Sequence, residues 1–191
     1  LTLQATFFGS IDSKRCAKTR ALLLLHAHFP SQGRGELTSI AREGDRTLFF
    51  ERTHRNEPGG LLLREVYIGT AGPVWDSKNR KLTVLQASAV VFAPSLLRRD
   101  VDHTIESLVE LEGYLNEEGR DLAEIPLVFL WLHPTAERLA DEVPVVEFER
   151  SLNAGGRPSF DSGPDDGATV AAAVACALRL AREDVRRNLG V

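Results

Sequence analysis

Cysteine is scarce in this chain: Cys16 and Cys176 are the two among 191 residues. They lie far apart and outside any CxxC spacing, so they read as reduced thiols and not as a bridge, which favours the cytosol. No apolar run approaches the ~20 residues needed to span a bilayer. The short run Ala21 to Leu25 follows Lys14, Arg15, Lys18 and Arg20, the charge order of a signal peptide. It has no small-residue cleavage site behind it and reads as a core helix. A basic excess is also missing: 23 Lys and Arg face 27 Asp and Glu, a net charge of -4, which gives no support to bulk nucleic-acid binding. There is no internal repeat and no interdomain linker, so residues 1–191 are expected to form one domain, long enough for a full core. The absent initiator Met implies a start that has been trimmed.

What is present is an ordinary globular composition, 43% hydrophobic and 26% charged, arranged as alternating strands and helices. Leu1 to Phe8 predicts a first strand, Gly9 to Ser13 a turn, and the segment carrying Ala21 to Leu25 a helix. Ser31 to Asp45, with three glycines, reads as a long loop. Thr47 to Arg52 and Leu61 to Ile68 predict two strands of a hairpin turning at Asn56 to Gly60. A loop from Gly69 to Trp75 precedes a short helix, Ser77 to Leu85. Ser88 to Ala93 and Ile125 to Leu132 are continuous apolar runs, as in parallel strands buried on both faces. Between them Val101, Ile105, Leu108, Leu111 or Glu112, and Leu115 form one helical stripe, capped by Asp100 or Asp102. Val145 to Phe148 predicts a weaker strand, Asn153 to Gly167 an exposed loop, and Ala168 to Asn188 a long helix ending in Arg186 and Arg187. The expected fold class is α/β: a mostly parallel sheet with one antiparallel hairpin strand and helices on both faces.

Three segments carry a family resemblance. Asp45-Arg46-Thr47-Leu48-Phe49-Phe50 resembles the switch I signature of MglA-type bacterial small GTPases. Gly72, followed by Arg80-Lys81-Leu82, resembles their switch II and its helix. Ile105-Glu106-Ser107-Leu108, running to Ile125-Pro126, resembles the helix and strand that follow. The likeness covers most of the chain and implies a single-domain Ras-like P-loop fold, with roles in gliding motility or cell polarity. The family's nucleotide motifs are not kept. A Walker A loop needs backbone amides around phosphates, a lysine, and a hydroxyl on magnesium. The aligned residues retain Gly9, but Asp12 places a negative charge where phosphates sit. Lys14 replaces the second glycine, Arg15 the lysine, and Cys16 the hydroxyl; a thiol is a poor ligand for magnesium. The water-positioning Gln aligns with Pro73. The NKxD motif aligns with Leu132-His133-Pro134-Thr135 and keeps none of its members. Each lost charged contact costs ~1.5–3 kcal/mol. In the family the residues at Arg46 and Thr47 assist catalysis and sense the γ-phosphate; without magnesium at Cys16 they read as a docking surface or strand packing.

The resemblance therefore implies a pseudo-GTPase without catalytic residues, metal or cofactor. It would act as a scaffold or regulator through a switch-like surface of Asp45, Arg46, Thr47 and Trp75. A Roadblock-domain protein or a component of a polarity or motility complex would be the partner. Two alternatives stand beside it: a divergent GTPase, using GTP or GDP with Mg and partner help, and an anion- or nucleotide-binding module built on Gly9, Arg15 and the first helix. Lys14, Arg15, Lys18 and Arg20 read either as an anion site or as a solvated face. His26 and His28, two apart on a helix, point to different faces and do not form a metal pair. Trp131 reads as core, and Asp161 to Asp166 as a solvated loop.

Overall fold

The computed structural model describes residues 1–9, 17–42, 45–56, 61–70, 77–137 and 139–189. Seven strands form one sheet: β1 (Thr2–Phe8), β2 (Thr38–Arg42), β3 (Asp45–Asn56), β4 (Leu61–Gly69), β5 (Ala89–Phe92), β6 (Leu127–Leu132) and β7 (Ser159–Ser162). Among the described residues five α-helices accompany them: α1 (Ala17–His28), α2 (Ser77–Leu85), α3 (Val101–Asn116), α4 (Val145–Leu152) and α5 (Gly167–Leu189). The strand order is β2-β3-β4-β1-β5-β6-β7. β3 runs against both of its neighbours, while β4, β1, β5, β6 and β7 pair in parallel. The chain is thus an α/β protein with a largely parallel central sheet and helices on both faces.

Strand alternation assigns each face its core. In β6, Val128, Leu130 and Leu132 enter a cluster with α1 and α5, which supply Leu22, Leu25, Val170, Val174 and Leu178. Leu127, Phe129 and Trp131 point the other way, toward Val84 of α2, Leu111 and Leu115 of α3 and Phe148 of α4. Trp131 is fully buried, stacked between Phe129 and Phe148 at 5.2 and 5.8 Å. Its indole N–H donates to Glu149 Oε1 at 2.5 Å, so the ring is buried without orphaning its polar edge. Among the described residues no helix is long and apolar enough to cross a membrane.

Several expectations need correction. Val145–Leu152 is helix α4; the two valines suggested a strand, but Val145, Phe148, Glu149 and Leu152 fall at helical spacing behind Pro144. β7 lies inside the expected loop 153–167, a polar edge strand held by its ladder to β6 and not by side-chain burial. β2 likewise forms within the expected loop 31–45, extending the β3–β4 hairpin by one edge strand. The stripe of α3 is rotated: Thr104, Ser107, Leu111 and Leu115 are buried, and Ile105 is exposed. Thr104 donates to Ser95 O at 3.5 Å, while the Ser107 hydroxyl has no hydrogen-bond partner among the described residues. Neither aspartate caps this helix through its side chain; Asp100 Oδ2 instead accepts from the Ser95 hydroxyl at 2.6 Å.

Candidate functional site

Parallel pairing brings the carboxyl ends of β1, β5, β6 and β7 to one edge of the sheet, where ligands of open α/β sheets bind. Gly9 follows β1 and is buried there with φ +150°. A Cβ on it would stand 2.4 Å from the Ala93 carbonyl oxygen. Close approach of β1 to β5 therefore requires glycine at this position, whatever binds beyond it. Asp12, Lys14, Arg15 and Cys16 lie outside the described residues, as do Gly72, Pro73 and Trp75. The backbones of Asp45, Arg46 and Thr47 open β3, paired with Arg42, Ala41 and Ile40 of β2. The side chains of Asp45 and Arg46 lie outside the described residues.

The end of β6 is cross-bonded. His133 Nδ1 lies 3.1 Å from Glu142 Oε2, and its Nε2 lies 2.7 Å from Asp161 Oδ1. Glu142 is almost wholly buried, so the ring holds β6, β7 and the segment before α4 together. The Thr135 hydroxyl turns back to donate to Glu137 O at 2.5 Å. From α1, Arg20 donates to His133 O at 3.3 Å and to Pro164 O at 3.0 Å. One guanidinium thus ties the first helix to the loops after β6 and β7.

The basic residues of α1 are accordingly not a solvated face where the structure describes them. Lys18 is buried, with Nζ 3.4 Å from Thr70 Oγ1, and the Thr70 hydroxyl in turn donates to Phe7 O at 3.2 Å. The chain from Asp161 to Asp166 is also structured. Asp161 belongs to β7, and Asp166 accepts from the Thr169 N–H and hydroxyl at 2.9 and 2.6 Å, closing the start of α5. The Thr169 hydroxyl, then its N–H, hold the Asp166 carboxyl below the usual carboxylate range. The signal for this cap was legible: Asp166 and Gly167 stand immediately before an alanine-rich run. The link made by Arg20 had no local signal, since it joins residues more than a hundred positions apart.

His26 Nε2 lies 3.2 Å from Gly35 O, and its ring meets Phe50 edge-on at 4.8 Å, while His28 is exposed on the next face. Among the described residues no group of three His, Cys, Asp or Glu side chains could hold a metal ion. Cys176 is a free thiol.

The chain is 27% identical over 175 residues to the Mutual gliding-motility protein MglA of Myxococcus xanthus (strain DK1622), covering 91% of this chain and 88% of that relative. No family model matches the chain. The likeness links it to the superfamily of MglA and the Ras-like small GTPases.

Proposed function

We propose that this chain has the Ras-like P-loop fold in its MglA-type form and works as a pseudo-GTPase, a protein-binding scaffold or regulator. The observation that carries the reading is the self-bonded corner at the end of β6. At the position aligned with base recognition, His133 spends both ring nitrogens on Glu142 and Asp161. Arg20 closes the same corner across His133 and Pro164. A nucleobase would have to displace these bonds, because the two carboxylates of the corner are already turned onto the histidine ring. These residues do not fit a guanine nucleotide. Lys14, Arg15, Cys16 and Pro73 in the aligned motifs support the same conclusion from their chemistry. No cofactor and no metal enter the proposal.

Binding would then pass through the switch-like surface of Asp45, Arg46, Thr47 and Trp75, of which the first three pair with the edge strand β2. By resemblance the partner is a Roadblock-domain protein or another component of a motility or polarity complex in the cytoplasm. Calorimetric titration with GTP, GDP and ATP in the presence of magnesium tests the reading, after the preparation has been checked for co-purified nucleotide. No binding at ligand concentrations on the order of 1 mM is the expected result. Affinity on the order of 1 μM overturns it and makes GTP turnover with a Roadblock-type partner the next measurement.

A further inference from the structure

On the face covered by α1 and α5, away from the corner at His133, a cavity of about 220 Å³ opens between α5 and the strands β3 and β4. Its polar side is built by strand alternation: Arg52 and His54 of β3 point inward with Glu65 and Tyr67 of β4. Glu65 is the single carboxylate in the lining and is buried. Arg182 of α5 donates to its Oε1 at 2.8 Å and the Tyr67 hydroxyl donates to its Oε2 at 2.5 Å. Arg52 Nη1 and His54 Nδ1 stand 3.7 and 3.8 Å from the same carboxylate, beyond hydrogen-bonding distance. Two guanidiniums therefore face one carboxylate whose oxygens are already engaged.

Two buried nitrogens in this lining, His54 Nδ1 and Arg182 Nε, have no hydrogen-bond partner among the described residues. A buried polar atom without a partner costs ~1–3 kcal/mol; Arg182 Nε is always a donor and marks a missing acceptor, and His54 Nδ1 does the same in the form that carries its proton. Burial and the charge of Glu65 push the Tyr67 phenol well above its usual range, which keeps it a donor. The opposite wall is apolar, formed by Val174, Ala175 and Leu178 of α5 and the ring of Phe29. Phe29 also stacks under the Arg52 guanidinium at 4.5 Å. Arg52 and Arg182 each keep about a third of their side-chain surface in solvent, 27% and 32%, so the cavity has a mouth at the charged end. The volume is below the ~300–1,000 Å³ of sites that take drug-sized molecules.

We propose that this cavity is a binding site for a small monocarboxylate with a short hydrocarbon body. The carboxylate sits between Arg52, Arg182 and His54, and the hydrocarbon lies against α5 and Phe29. Such a ligand clamps α5 onto the β3–β4 hairpin. This inference is independent of whether the corner at His133 binds nucleotide.

The test is an amide-detected NMR titration of the full chain with hexanoate, run in parallel with 1-hexanol and inorganic phosphate. Saturable shifts confined to β3, β4 and α5 around the cavity, with a dissociation constant on the order of 1 mM or tighter, are expected for hexanoate. Ala175→Leu fills the apolar wall without touching a charge and weakens hexanoate about tenfold or more; Arg182→Gln does the same by removing the charged donor. Because Arg182→Gln also loosens Glu65, the Ala175→Leu result stands by itself if Arg182→Gln does not fold. The proposal is overturned by hexanoate leaving these residues unshifted in folded protein, or by Ala175→Leu binding as the parent does. It is equally overturned by 1-hexanol matching hexanoate, which makes the site an apolar void, or by phosphate matching it, which makes it a bare charge patch.

Discussion

Replacing Gly9 by alanine separates packing from ligand binding at the glycine that the resemblance aligns with a phosphate loop. The residue is buried and adopts φ +150°, a conformation that costs a side-chain-bearing residue ~1–3 kcal/mol. Its new methyl would also lie 2.4 Å from Ala93 O and 2.8 Å from Ala93 C, both backbone atoms of the segment after β5. No rotamer relieves that contact, so β1 must shift against β5, an overpacking penalty of ~1–3 kcal/mol. The sum is ~2–6 kcal/mol, or a fall in melting temperature of roughly 5–20 °C at ~2–4 °C per kcal/mol for a chain of this size.

Urea unfolding of nucleotide-free protein, followed by tryptophan fluorescence, reads the loss directly because Trp131 is fully buried. Gly113→Ala is the matched control. It lies in α3, where an added Cβ meets nothing within 4 Å, and there alanine stabilises the helix by ~0.5–1 kcal/mol. A Gly9→Ala variant as stable as the parent, beside a control that behaves, refutes the claim that this glycine is required by packing.

Two further outcomes follow from buried charge. Arg80 is fully buried, bonded to Glu110 and stacked on Phe8 at 4.6 Å; Glu110→Ala is expected to cost about 3 kcal/mol, the low end for breaking a buried pair, since Glu110 is 23% exposed. Chemical denaturation reads this, and a loss within ~0.5 kcal/mol of zero shows the pair to be inert. Burial pushes the Glu149 carboxyl up, but hydrogen bonds from Ser159, Asn153 and Trp131 outweigh it and hold the group below its usual range. Its folded value is depressed, so the stability it contributes is present above the unfolded value of ~4.3 and is lost as pH falls through the folded one. Glu149→Gln should therefore flatten the acid limb of a stability-against-pH curve between roughly pH 5 and pH 3, and parallel limbs for variant and parent contradict the assignment.

The central strands were legible because continuous apolar runs such as Leu127–Leu132 admit few readings once bounded by turns. The edges were not. β7 has the sequence Ser-Phe-Asp-Ser and one buried residue, so only its partner strand makes it a strand. In α4 a Val-Val pair outweighed a helical spacing of eight residues, too short for periodicity to decide. The cavity had a signal that passed unread: in Leu63-Arg64-Glu65-Val66-Tyr67, alternation places Glu65 on the same inward face as Leu63 and Tyr67. A charged residue at an inward position needs a partner, and that partner, Arg182, lies 117 positions away. The corner at His133 was located by resemblance alone, while its closure by Glu142, Asp161 and Arg20 depends on tertiary geometry that no local pattern encodes.

This bears on how retained motif residues are weighed. Gly9 and Thr47 are two positions that the resemblance aligns with residues of a nucleotide switch and at which the structure describes the surroundings. Gly9 has a sufficient reason in the approach of β1 to β5. Thr47 pairs with Ile40 in the β2–β3 ladder, where a β-branched residue suits the strand by conformation alone. Their presence therefore does not distinguish a working switch from a scaffold that has kept its packing. Under the proposed reading the positions that bear on the choice are those a ligand alone would require, where the resemblance aligns Arg15, Cys16 and Pro73 and where His133 is turned toward Glu142 and Asp161. Selection for the fold preserves the first kind of residue; only selection for nucleotide would preserve the second.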